Sequence, residues 1–407
     1  MKKIIILLLD SFGVGAAKDA AVFGDAGADT LGHITEWCMT NRKTGPLYLP
    51  ELDRLGLSRV AQASRGGIQL KHALSEYQGA PLGAYTYAAP QSKGKDTLSG
   101  HWELMGVPVE FDWGYFSQAE DSFPKELVSE LIKKGQLSGV LGNKQASGTE
   151  IIKELGEEHC HTKKPIIYTS ADSVLQIAAH EEYFGLERLY ELCKIAFELV
   201  QPYRIARVIA RPFTGESKTG FVRTANRHDY AVPAPEETLL DKLVAKHKDV
   251  FAVGKIADIF AHRGITKHYK AAGISELFQA TLKAMVECQK DTLIFTNFVD
   301  FDSSFGHRRD PGGYANALEE LDKLLPKLYE AMTVEDLLLI TADHGCDPLW
   351  QGSDHTRENI PILFYGEKVK PQALKPMASF ADVGSTLGKI FNITMPKGCA
   401  QDIFKKE

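Results

Sequence analysis

Residues 4–15 read IIILLLDSFGVG: six branched apolar residues that stop at Asp10 and run into Gly13 and Gly15. A strand with one wet face alternates apolar and polar residues. An unbroken run therefore marks a strand covered on both sides, as at the centre of a parallel sheet. Similar runs recur at 250–253, 292–299, 337–341 and 360–365. Between them lie helical patterns, most clearly at 314–332, where Leu318, Leu321, Leu325 and Leu328 recur at helical spacing with charges between them. Strand and helix in alternation predict an α/β fold with a doubly wound core.

Three of these strands end in acidic or histidine-bearing segments: Asp10 after the first, Asp300 and Asp302 after 292–299, Asp343 and His344 after 337–341. Ligands of open α/β sheets bind at the carboxyl ends of strands, so this agreement is a functional signal. The middle of the chain lacks it. Gly106 and Pro108 interrupt one side and residues 231–235, with two prolines, the other. Between them Ser147 and Glu150 have capping-box spacing, and apolar runs occupy 166–168 and 207–213. This stretch reads as a smaller α/β domain, 108–235, inserted into a core made of 1–107 and 236–407.

The composition excludes several classes. Across 407 residues, 44% hydrophobic and 25% charged, with 35 Gly and 18 Pro, the chain has the make-up of a globular protein that buries substantial cores. Its 47 basic and 53 acidic residues give a net charge of −6 without a basic stripe, so nucleic acid is not the expected partner. The apolar run that ends at Asp10 is shorter than a signal-peptide core, and no other stretch has the length to span a bilayer. The six cysteines are scattered without CxxC spacing, which fits a reducing cytoplasm.

An Asp behind a strand most often caps the next helix, so Asp10 alone says little. Gly13 and Gly15 lack the third glycine of a dinucleotide fingerprint, and an Asp ahead of them would repel a pyrophosphate. Residues 142–148 resemble a phosphate-binding loop until Thr149 stands where Lys is required. Metal chemistry fits better. NFVDFDSSFGH (297–307) places Asp302 five residues before His307, close enough for a loop to curl both toward one cation. TADHGCDPLWQGSDHTREN (341–359) adds Asp343, His344 and His355. Carboxylates mixed with imidazoles suit Mn or Zn. With Asp10 these make six ligands, too many for one tetrahedral ion, and three Asp carry enough charge for two dications. QSKGKDTLSGHWELMG (91–106) offers Thr97 and Ser99 as hydroxyl nucleophiles, and spacing does not rank one over the other. The HCH cluster at 159–161 reads as a solvated loop.

These segments resemble the alkaline phosphatase superfamily and, within it, the bacterial phosphopentomutases. The likeness runs along nearly the whole chain: LLLDSFGVG (7–15), KGKDTLSGHWE (93–103), TSADSVLQIAAHEE (169–182), RPFTG (211–215), RTANRHDYA (223–231), VDFDSSFGH (299–307), TADHGCDP (341–348) and SDHTRE (353–358). The related cofactor-independent phosphoglycerate mutases use a nucleophilic Ser, whereas here the resemblance assigns that role to Thr97.

The resemblance implies an alkaline-phosphatase-like core with an inserted cap. It groups Asp10, Thr97, Asp343 and His344 around one metal and Asp302, His307 and His355 around the other, with manganese as the usual ion. It implies interconversion of ribose 1-phosphate and ribose 5-phosphate, and of the 2-deoxy pair, with a bisphosphate such as glucose 1,6-bisphosphate priming the threonine. For the sugar and the distal phosphate it points to Asp172, Arg211 and Arg227. A threonine hydroxyl is a weak nucleophile until a metal or base lowers its pKa. The bisphosphate intermediate must also turn over while water is kept out, which gives the cap its expected task. A phosphatase of the same fold would use the same metals and release phosphate to water.

Overall fold

The computed structural model describes residues 2–116, 120–170, 173–216 and 220–405, so Asp172 lies outside the described residues. The chain divides into two compact units, residues 1–110 with 234–407, and residues 111–233. In chain order the strands are β1 (Lys3–Leu9), β2 (Ala84–Ala88), β3 (Leu141–Gln145), β4 (Ile166–Thr169), β5 (Val174–His180), β6 (Arg207–Thr214), β7 (Val222–Arg223), β8 (His228–Ala231), β9 (Asp249–Val253), β10 (Lys267–Tyr269), β11 (Thr292–Phe298), β12 (Leu337–Thr341), β13 (Ile360–Tyr365) and β14 (Gln372–Ala373).

The larger unit is built on a sheet of order β10-β9-β11-β1-β12-β13-β2-β14. The five strands from β10 to β12 are parallel, with β1 in register between β11 (Leu9 beside Phe298) and β12 (Leu8 beside Thr341). Ile4 to Leu9 have no solvent exposure, which accounts for the unbroken apolar run. Each such side chain contributes about 1.5–3 kcal/mol on burial. The register brings Asp10, the residues after Phe298 and the residues after Thr341 to one edge of the sheet.

One strand departs from the parallel expectation. The 360–365 run forms β13, which is antiparallel to both β12 and β2. A parallel neighbour needs a crossover, usually helical, to carry the chain back to the far edge. Residues 342–359 contain no helix. They stay at the ligand edge, so the next strand has to run the other way.

The smaller unit carries a mixed sheet of order β3-β4-β5-β6-β7, with β8 also paired to β6. Its helix Gly148–Thr162 begins after Ser147, whose side chain makes no capping hydrogen bond, so the expected capping box does not form. A complete capping box instead occurs at Thr238 and Asp241. The 159–161 cluster lies in the helix and not in a solvated loop. His159 is fully buried, with Nδ1 2.6 Å from the Lys164 carbonyl and Nε2 accepting from His180 N at 2.8 Å. It is a satisfied core histidine. The periodic stretch at 314–332 is the helix Pro311–Ala331, started by Pro311 and by Asp310, which accepts from Gly313 N.

Candidate active site

The site forms where β1, β11 and β12 end. Directly after β1, Ser11 takes a left-handed backbone with φ 75°, a costly conformation for a residue with a side chain. Neighbours hold it there: Ser11 N donates to Asp343 Oδ1 at 3.1 Å, and its carbonyl accepts from Cys346 N at 3.1 Å. The turn sends the Asp10 side chain along the sheet edge toward Asp343 and His344.

After β11 the chain enters a π-helical turn, Phe301–Gly306. His307 N donates to Asp302 O at 3.0 Å, so the five-residue spacing is the repeat of this turn. His307 Nε2 lies 3.5 Å from Asp302 Oδ2, while its Nδ1 is held 2.6 Å from Ser353 O. His355 Nε2 lies 3.2 Å from Asp302 Oδ1. Ligand atoms of Asp302, His307 and His355 lie within 4.8 Å of one another, and so do those of Asp10, Asp302 and His344. Asp302 therefore stands between the two groups. Asp343 joins through His344, whose Nε2 is 3.2 Å from Asp343 Oδ2 and 3.5 Å from Asp10 Oδ1. Asp300, the other acid of that segment, takes no part; its carboxylate accepts from Gly273 N.

Thr97 opens the helix Thr97–Leu104, capped by Asp96, whose side chain accepts from Ser99 N. The buried Thr97 hydroxyl lies 3.3 Å from His344 Nε2. Ser99 Oγ instead donates to Asp96 Oδ2 at 2.7 Å, so of the two hydroxyls Thr97 Oγ1 is the one at the cluster. The helix lies tight against the β12 loop: a Cβ on Gly100 would sit 2.2 Å from the Asp343 carbonyl oxygen. The glycine of this segment serves that close approach.

The electrostatics ask for a cation. Asp10, Asp302 and Asp343 are all buried, and among the described residues Asp10 Oδ1, Asp302 Oδ1 and Asp343 Oδ2 make no well-formed hydrogen bond. Burial, and then the charges of Asp343 and Asp302, push the Asp10 carboxyl up to about 7. Burial acts upward on Asp343 as the largest single influence, but His344 and His101 together outweigh it and hold that carboxyl well below its usual range. His344 itself, despite burial, is raised to about 10, chiefly by Asp343. Three buried carboxylates compensated by two N–H donors, Ser11 N and Asn297 Nδ2, and by neighbouring imidazoles form a poor resting state without a cation. Oxygen and nitrogen donors converging with open lone pairs fit divalent metal ions.

Arg211 and Arg227 belong to the smaller unit. Arg211, on β6, donates from Nε to Gln176 Oε1 at 2.9 Å. Burial, and next the charge of Arg227, lower its guanidinium to about 10. The fully buried Tyr168 hydroxyl faces Arg211, Arg223 and Arg227 without a well-formed hydrogen bond. Arg227 also pairs bidentately with Asp229 at 2.7 Å. Arg223 opens the 223–231 segment and Tyr168 ends the 166–168 run, but the sequence singles out neither as a site residue, because their proximity depends on sheet pairing.

Residues 2–395 match the Metalloenzyme superfamily. A phosphopentomutase from Yersinia enterocolitica serotype O:8 / biotype 1B is 56% identical over 401 residues, covering 97% of this chain and 98% of the relative. The chain belongs to the phosphopentomutase family. It is thus an isomerase, an intramolecular phosphotransferase acting on sugar phosphates. Among solved structures, the PH0037 protein of Pyrococcus horikoshii aligns with TM-score 0.47 at 14% identity, covering 98% of each chain. A Leishmania mexicana phosphoglycerate mutase at low cobalt concentration aligns with TM-score 0.43 at 12% identity, over 99% of this chain and 98% of that one. No helix among the described residues is long and apolar enough to cross a membrane.

Proposed function

We propose that the enzyme interconverts ribose 1-phosphate and ribose 5-phosphate, and the 2-deoxy pair, by way of a phosphorylated Thr97. The observation that carries this reading is the Thr97 hydroxyl at a helix start, 3.3 Å from His344 within the buried acid–histidine cluster. Asp10, Asp343 and His344 would hold one ion beside Thr97, and Asp302, His307 and His355 a second, with manganese as the expected metal. Bound there, two dications would polarise phosphoryl oxygens and lower the pKa of the threonine hydroxyl.

Thr97 Oγ1 loses its proton and bonds to phosphorus of a bisphosphate primer such as glucose 1,6-bisphosphate. The bond from phosphorus to the sugar oxygen breaks, and that oxygen takes up a proton. Phosphothreonine then passes its phosphoryl to the free hydroxyl of the pentose phosphate, giving a pentose bisphosphate. When the other phosphoryl of that bisphosphate returns to Thr97, the isomer leaves and the enzyme is ready again. The helix start supports this cycle, because first-turn N–H groups favour the negative charge of the phosphoryl. Arg211 and Arg227, next to Arg223 and Tyr168, would grip the phosphate not in transfer, and Asp172 would contact the sugar. On this reading the 111–233 unit is the substrate cap.

The test is incubation with glucose 1,6-bisphosphate and Mn²⁺ followed by peptide mapping. One phosphate on Thr97, and none in Thr97→Val, is the expected result. Phosphate on Ser99, or full turnover by Thr97→Val, would overturn the assignment.

A further inference from the structure

Two fully buried polar side chains stand beside the site without a role so far: His101, in the helix that begins at Thr97, and Asn297, near the end of β11. Asn297 Nδ2 donates to Asp10 Oδ2 at 2.8 Å and lies 3.1 Å from His101 Nε2. His101 Nδ1 lies 2.9 Å from the Thr97 carbonyl oxygen. The directions of these bonds are determined. An amide oxygen placed 2.8 Å from the Asp10 carboxylate would be repelled, so the amide nitrogen occupies that position. Its second hydrogen then points at His101 Nε2, which accepts. The ring proton is left on Nδ1 and is donated to Thr97 O.

Three hydrogen bonds therefore link Asp10 to the backbone of Thr97, with Asn297 donating to Asp10 on one side and to His101 on the other, and His101 donating on to Thr97. Their geometry leaves Asp10 Oδ1 without a hydrogen bond among the described residues and aimed at the metal group, 3.5 Å from His344 Nε2. The ring is fixed by stacking on Phe295, with centroids 5.7 Å apart, and by the edge of Phe260 at 6.4 Å. His101 Nδ1 also lies 3.0 Å from Asp343 Oδ2, so its N–H faces a second ligand. A core histidine kept only for stability needs satisfied partners of any kind. Here each partner is itself part of the site.

We infer that His101 and Asn297 are a positioning pair that sets the nucleophile Thr97 against the metal ligand Asp10. Neither touches substrate; each acts through the residue it holds. The Thr97 half of this inference rests on the proposed phosphothreonine cycle, whereas the Asp10 half stands on metal binding alone.

The experiment is a Mn²⁺ titration of the full chain, followed by isothermal calorimetry, on Asn297→Leu, His101→Leu, His101→Asn and the His101→Asn/Asn297→Leu double variant. Asn at position 101 can keep an N–H near Nδ1 but cannot reach Asn297. Support around a ligand is worth roughly 10- to 100-fold in metal affinity. Asn297→Leu and His101→Leu should therefore lose about that much at one Mn²⁺ site and stay within about twofold at the other. The second site, formed by Asp302, His307 and His355, reports folding within the same titration. If His101→Leu does not fold, Asn297→Leu and His101→Asn carry the test. The double variant should bind no more weakly than Asn297→Leu, because the link is already cut. Thr97 phosphorylation by glucose 1,6-bisphosphate should slow in the same variants while the KM for the primer is unchanged. Wild-type affinity at both sites, equal loss at both, or additive losses in the double variant would each overturn the inference. If wild-type protein is not phosphorylated at Thr97, the cycle fails, and the Mn²⁺ titration still decides the Asp10 half.

Discussion

Arg357→Met tests how the loop leading to Thr97 is held. The Arg357 guanidinium is almost fully buried and donates to three backbone carbonyls of that loop: Ser92 at 2.7 Å, Gly94 at 2.9 Å and Pro90 at 3.2 Å. It also pairs with Asp19 at 2.8 Å and lies 4.8 Å over the Phe23 ring. Methionine fills most of the volume but leaves those carbonyls without a donor. An orphaned buried acceptor costs about 1–3 kcal/mol. Two fully buried carbonyls at the low end, with part of a third and the lost stacking, come to about 3 kcal/mol. The Asp19 side chain is 45% exposed, so that pair adds at most about 0.5 kcal/mol. Glu103 still holds the loop from its other side through Gln91 N and Ser92 N, so the loop should loosen without detaching. Urea unfolding of the metal-free variant should show the loss, and turnover at saturating ribose 5-phosphate should fall. A stability change under about 1 kcal/mol with turnover intact would refute the reasoning.

Other outcomes follow from the same geometry. Elemental analysis of Mn²⁺-loaded protein should give two ions per chain, falling to one in His307→Ala and in Asp343→Ala; one ion in the wild type is the contrary result. Asp322, which accepts from Leu52 N and Glu51 N, is pushed by burial from its ordinary value near 3.8 up to about 7. The folded state then holds a proton that the unfolded state has released, so stability should fall as pH rises from about 4 to 7, by a few kcal/mol at most. Asp322→Asn should flatten that slope in thermal melts taken in EDTA, and an unchanged slope counts against it. Arg211→Ala or Arg227→Ala should raise the ratio of free phosphate to isomerised sugar, and an unaltered ratio in both would remove these arginines from the site.

The ligand edge was legible because its signal is local. Asp10 follows its apolar run directly, Asp343 and Asp302 within two or three residues of theirs, and parallel register brings such strand ends together without further information. The pairing of Asp302 with His307 was also visible, although as a loop and not as the π-helical turn that gives the five-residue spacing its sense. Longer-range features were hidden. The direction of β13 depends on how residues 342–359 spend their length, which no periodicity reports. The choice between Thr97 and Ser99 rests on one cap, in which Asp96 engages the Ser99 hydroxyl. His101 and Asn297 look like ordinary helix and strand residues until the fold sets them beside Asp10. At Ser147 the motif spacing was present and the hydrogen bond was not, since spacing specifies who can meet and not which rotamer wins.

The most direct test of the account is phosphorus NMR of the enzyme with ribose 5-phosphate, Mn²⁺ and a catalytic amount of glucose 1,6-bisphosphate. The central claim is transfer through Thr97 from one sugar position to another. It predicts that ribose 1-phosphate accumulates toward equilibrium, that inorganic phosphate forms far more slowly, and that both signals vanish with Thr97→Val. Inorganic phosphate appearing as fast as ribose 1-phosphate would contradict the claim and leave a phosphatase.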